Sequence, residues 1–226
     1  LTCEAGCDPI ALPKDALILL AAPVYGGRVS PTALERLARL RGQGQAAVAV
    51  VVYGNRDYED ALLELSDRAK DWGLTPVAAG AFIGEHSYSR PSLPVAEGRP
   101  DEDDLKRCRD FAAAVMEKLH RCGSLEQACD FPVKGSRPYK ALKPSTPQAP
   151  ITLPEKCLRC GSCLKHCPTQ AIFRAEDGSM DTDKGRCIKC CTCVKGCPAQ
   201  ARVFDTPFSE FLHTHFSARR EPEFFL

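Results

Sequence analysis

The segment Cys157-x2-Cys160-x2-Cys163-x3-Cys167-Pro168 constrains the chain more than any other feature, because it occurs twice. It recurs as Cys187-x2-Cys190-x2-Cys193-x3-Cys197-Pro198. Laid over each other, residues 157–171 and 187–201 match at eight of fifteen positions, so one supersecondary unit is used twice. The chain holds 14 cysteines in 226 residues, and no charged leader with an apolar core opens the sequence. Cysteine-rich chains without a secretory signature favour metal ligation over disulfides and are expected in the cytoplasm.

The spacing has a physical reason. Three cysteines two residues apart wrap a tight loop around one corner of an iron–sulfide cube, and the fourth starts the chain on its way to the other cube. The expected ligand sets are therefore crossed: Cys157, Cys160, Cys163 and Cys197 for one [4Fe–4S] cluster, and Cys187, Cys190, Cys193 and Cys167 for the second. Pro168 and Pro198 turn the chain away after the last ligand, and residues 171–173 and 201–204 read as short covering strands. Zinc is the competing metal, but four-thiolate zinc sites usually use two C-x2-C pairs separated by a longer loop. Residues 155–205 resemble the bacterial two-cluster ferredoxins, which implies a small α+β domain that moves electrons singly.

Cys191 stands where the first repeat has Gly161 and reads as a bystander thiol; His166 reads as a surface residue or a tuner of cluster potential. Cys3, Cys7, Cys108, Cys122 and Cys129 form no motif. Residues 151–205 carry nine Lys or Arg against six Asp or Glu, a balance of +3. Lys156, Arg159, Lys165, Lys184, Arg186, Lys189 and Lys195 lie near the ligand loops. They form a solvated rim, or a docking face for an acidic redox partner.

Residues 1–130 read as α/β. Short apolar runs at 16–22, 46–52 and 77–83 suit strands buried on both faces of a parallel sheet. Between them, Ser30 and Pro31 suit the start of one helix, and Ala61, Leu62, Leu65, Ala69 and Trp72 mark a second. A third begins in the acidic run 101–104, with Leu105, Cys108, Phe111, Ala112, Val115 and Leu119 as its inward stripe. Ligands of such sheets bind beyond the carboxyl ends of the strands. Two loops there pair tyrosines with glycines: Tyr25-Gly26-Gly27 and Gly54-Asn55-Arg56-Asp57-Tyr58.

Gly54-Asn55-Arg56-Asp57-Tyr58-Glu59 resembles the flavodoxin loop G-D-x-x-Y-E, with Asn55 in place of the acidic residue. The resemblance implies a flavodoxin-like fold with FMN between Tyr58 and the Tyr25-Gly26 loop, Gly54 and Asn55 lying beside it. The family's first strand and phosphate-binding loop have no counterpart before residue 16. An N-terminally truncated domain is therefore expected. It should leave an open edge beside residues 16–22 and bind FMN weakly or not at all.

Residues 131–154 carry six prolines and read as a semi-rigid linker; residues 206–226 form a phenylalanine-rich tail. The order resembles flavodoxin/ferredoxin fusion proteins of anaerobes, which implies an electron carrier coupled to FMN in intact relatives. The alternative is a flavin-dependent iron–sulfur reductase with a small-molecule site near His86, Tyr88 or Arg90; a third reading is a binding module with structural or oxygen-sensing clusters. Thirty Lys and Arg against 29 Asp and Glu argue against a general nucleic-acid binder, and no apolar run reaches the ~20 residues of a membrane span. Redox proteins are the expected partners, and the sequence leaves the oligomeric state open.

Overall fold

Apolar runs rich in Ala and Val, with little polar interruption, make strands that two layers must cover. The structure, a computed structural model, describes residues 8–144 and 146–226. Its first part contains β1 (Ile10–Ala11), β2 (Ile18–Tyr25), β3 (Arg28–Val29), α1 (Pro31–Leu37), β4 (Leu40–Arg41), β5 (Ala46–Tyr53), α2 (Ala61–Asp71), β6 (Thr75–Ile83), α3 (Glu102–Arg121) and α4 (Leu125–Ala128). The second part contains β7 (Ile151–Thr152), α5 (Ser162–Lys165), β8 (Ile172–Arg174), β9 (Met180–Thr182), α6 (Thr192–Lys195), β10 (Arg202–Val203), α7 (Pro207–Phe216) and β11 (Glu223–Phe225).

The main sheet has the order β11-β6-β5-β2-β3. The three expected strands run parallel to one another, while β3 and β11 close the two ends antiparallel. The sheet is thus mixed rather than purely parallel. Leu20, Ala22, Val51 and Tyr53 bury one face against Leu62 and Leu65 of α2. Val48, Val77 and Ala78 pack the other face on Phe111 and Val115 of α3. A capping box starts α3: the Asp101 carboxylate accepts from the Asp104 amide, and that of Asp104 from the Asp101 amide.

The inward stripe expected on α3 is only half realised. Phe111 and Val115 are buried, but Leu105 and Ala112 are exposed. The helix covers β5 and β6 and leaves the face of β2 open, so Leu17, Leu19 and Val52 remain exposed there with Leu105 and Met116. Leu19 keeps 67% of its surface. The outer edge of β2 pairs with β3 at Val24 and Tyr25, and no other strand pairs with that edge among the described residues. The short strand β1 joins β4 in a separate two-stranded sheet.

The phenylalanine-rich tail belongs to the sheet. Phe224 of β11 stacks on Phe111 with centroids 4.8 Å apart and lies 5.4 Å from Phe82. The described residues of the proline-rich stretch form no strand or helix between α4 and β7, yet side chains tie it down. The Asp60 carboxylate accepts from the amides of Ser136 (2.9 Å) and Lys140 (2.7 Å). Arg137 pairs with Asp67, and Arg28, itself bound to buried Glu64, lies 4.7 Å over the Tyr139 ring.

Candidate metal centre

The two cysteine segments share the same local features. In both, the residue two after the first cysteine has a left-handed backbone, Arg159 (φ 55°) and Lys189 (φ 57°). In both, a one-turn helix carries the third cysteine, and the fourth follows it. The Ala171 amide donates to Cys167 Sγ and the Ala201 amide to Cys197 Sγ, each at 3.2 Å. β8 pairs with β9 and β10 with β7, so each segment ends in one strand of a small ribbon.

This doubling places eight thiols around two cavities. One is lined by Cys157, Cys160, Cys163 and Cys197, with Met180, Pro198 and Ala201 as its apolar wall. The other is lined by Cys167, Cys187, Cys190 and Cys193, with Ala171, Ile172 and Ile188. Apart from Cys191, which also lines the second, each cavity receives three cysteines from one segment and one from the other. Soft thiolates inside an apolar shell, with amides aimed at the sulfurs, suit an iron–sulfur group. Burial would push the thiols of Cys167 and Cys197 up, but the surrounding backbone amides outweigh it and hold both below their ordinary value. Burial dominates at Cys163, Cys187 and Cys193, and their thiols are raised.

Cys191 is 3% exposed and lines the second cavity beside the four cysteines. It is left-handed (φ 56°), as Gly161 (φ 75°) is in the first segment, and burial pushes its thiol up to about 12. His166 is exposed, its Nδ1 2.9 Å from the Ser162 carbonyl. Arg202 lies between the cavities. Sequence reading placed it in a covering strand and missed its guanidinium. Cys108 lies on α3, Cys122 and Cys129 cap the C-termini of α3 and α4, and none of the three lines either cavity. Cys3 and Cys7 fall outside the described residues. The ferredoxin-like half sits on the α/β half through Lys195 and Glu85, Arg90 and Asp205 at 2.8 Å, and the rings of Tyr88 and Phe204 at 5.1 Å.

A larger cavity of about 280 Å³ opens at the carboxyl ends of β2, β5 and β6. Tyr25, Gly26, Gly54, Arg56, Asp57, His86, Tyr88 and Lys189 line it. Gly54 has no substitute there, since a Cβ would stand 2.5 Å from His86 Cδ2. Burial, and then the nearby thiols of Cys187, Cys190 and Cys191, raise the phenols of Tyr25 and Tyr88. The cavity therefore borders the second cysteine set. Burial, with Lys195 and Arg56 nearby, lowers His86 to about 4, and its Nδ1 accepts from the Tyr88 amide at 3.0 Å. His86 is thus neutral at pH 7, with its other ring nitrogen protonated.

Two of the expected flavin contacts are not available at this cavity. Tyr58 is fully buried, its hydroxyl donating to Glu223 at 2.7 Å and its ring 4.6 Å from the Lys134 ammonium. Asn55 is 1% exposed and donates to the carbonyls of Phe216 (2.6 Å) and Ala218 (2.8 Å). The returning C-terminal segment takes the Tyr58 hydroxyl and the Asn55 amide nitrogen, while the buried Asn55 Oδ1 has no hydrogen-bond partner. Arg90 faces Asp205 and does not line the cavity.

Residues 149–198 match the 4Fe-4S dicluster domain family. The match spans all nine cysteines of the two segments, Cys191 included, and under a quarter of the chain. It supports an iron–sulfur role in electron transfer for this part of the molecule. A search of curated proteins found no match. Among the described residues, no helix is long and apolar enough to cross a membrane.

Proposed function

We propose that the chain is an electron carrier holding two [4Fe–4S] clusters, one on Cys157, Cys160, Cys163 and Cys197, the other on Cys187, Cys190, Cys193 and Cys167. The observation that carries this reading is the crossed lining of the two cavities. When bound, such clusters supply one-electron exchange. The chain's own residues fix the thiolates, exclude water with apolar walls and direct amides at Cys167 and Cys197.

The two sites face different surroundings. The first has Leu158 (71% exposed), Leu164 and Cys160 at the surface, with Lys156, Arg159 and Lys165 around them. That rim suits an acidic redox protein. The second borders the cavity at the strand ends. FMN as a whole does not fit there: the volume lies just below the ~300–1,000 Å³ of small-molecule sites, and the one lining residue at a helix start among those described, Phe208 of α7, has its amide bonded to Thr206 Oγ1 and offers no free N–H to a phosphate. No step is therefore assigned to FMN in this chain. The aromatic lining beside the second site favours a second reading, a reductase of a small planar acceptor, for which His86 and Tyr88 are the polar groups in reach. Turnover of small acceptors by reduced protein separates that enzyme from a carrier that reduces only proteins.

The first test is composition. Protein reconstituted without air is expected to hold about eight iron and eight acid-labile sulfide per chain. One bound zinc per chain and no sulfide contradicts the reading.

A further inference from the structure

Arg202 is 3% exposed and carries a guanidinium with no carboxylate within ion-pair distance among the described residues. Its Nη1 donates to Thr152 Oγ1 at 2.6 Å and its Nη2 to the Pro150 carbonyl at 2.9 Å. Nη2 also reaches Thr182 Oγ1 and lies 3.8 Å from Cys193 Sγ, while Nε has no partner. Arg202 lines the first cavity, and Cys193 lines the second. One permanently charged group thus stands between the two cysteine sets.

The fold does not require a cation at this place. Arg202 pairs with Thr152 across β10 and β7, and the matching position of the earlier segment is Ile172, paired with Thr182 across β8 and β9. Ile172 is equally buried, at 5% exposure. An aliphatic side chain fills that sister position without hydrogen bonds. A buried charge without a counter-ion is costly, and the neutral oxygens around Arg202 satisfy its donors without balancing its charge. The negative charge that balances it has to come from what the cysteines hold.

We infer that Arg202 is a fixed countercharge shared by both cluster sites, which raises the reduction potential of each. The inference rests on the two-cluster reading above. Adding one electron from an external reductant such as dithionite makes either site more negative by one charge. A cation between the sites favours that addition at both. No proton is exchanged at Arg202, because a guanidinium stays protonated. At a separation of several ångströms and an effective dielectric near 20, the effect is at least on the order of tenfold in each reduction equilibrium.

The test is potentiometry of both clusters in the loaded full chain. Arg202→Gln keeps donors for Thr182 and Pro150 and removes the charge. It is expected to shift both midpoints negative by about tenfold or more in equilibrium constant, ~59 mV or more for one electron. Arg202→Lys keeps the charge and is expected to hold both midpoints near the wild-type values. With iron content intact, unchanged midpoints in Arg202→Gln overturn the inference, and a shift at one site alone overturns the shared role. Should Arg202→Gln fail to take up iron, Arg202→Lys decides. Normal loading and potentials support the charge; failure there too assigns Arg202 to the hydrogen-bonded frame and overturns the inference. A wild-type chain that takes up no clusters defeats the two-cluster reading itself, so the two failures are distinguishable.

Discussion

Cys197 sits in the later segment yet lines the cavity of Cys157, Cys160 and Cys163. Cys197→Ser is therefore expected to abolish or weaken the cluster of the earlier triplet and to spare that of Cys187, Cys190 and Cys193. Iron content near half with an EPR signal from one isolated cluster meets this expectation; selective loss of the later triplet's cluster opposes it. The candidate ligands were legible because their information is local: thiolate spacing along a few residues dictates a loop of fixed shape. The flavin-loop residues were not. Tyr58 and Asn55 have their partners at Glu223, Phe216 and Ala218, more than 150 residues away, and no local pattern announces them. The ion pair of Arg28 with buried Glu64 was equally invisible, since the two residues lie 36 positions apart and no local pattern links them.

Secondary structure followed the apolar periodicity where an element is long. β2, β5 and β6 lie within two or three residues of the expected runs, and α2 starts at its first expected apolar residue, Ala61. β11 has three residues and owes its existence to the edge of β6, which a one-dimensional pattern cannot supply. The stripe on α3 was over-read because periodicity reports which face can be buried, not how far the sheet beneath extends. The C-terminal segment, which reads as a tail, has a measurable structural role. Leu212 of α7 is fully buried, and Leu212→Ala is expected to destabilise the fold by about 3 kcal/mol through the lost contacts and the remaining cavity. Urea denaturation followed by circular dichroism checks this. A change below about 0.5 kcal/mol, typical of exposed sites, contradicts the packing of α7.

At the scale of the molecule, a module built around eight cysteines leans on an α/β unit whose strand ends open toward its second site. The order of the parts was readable from composition: apolar runs first, prolines next, paired cysteine segments last. Their mutual placement was not, since it depends on single contacts such as Lys195 with Glu85 and on the rings of Tyr88 and Phe204. This placement makes the first site the exposed terminus and the second the inner one. The central claim is that this chain carries electrons one at a time on two neighbouring clusters. Stepwise anaerobic reduction of the reconstituted chain, followed by EPR, tests it most directly. The account predicts reversible uptake of about two electrons per chain and, at full reduction, a spectrum split by interaction between two reduced centres. No reversible uptake, or a single electron giving one unsplit signal, would contradict it.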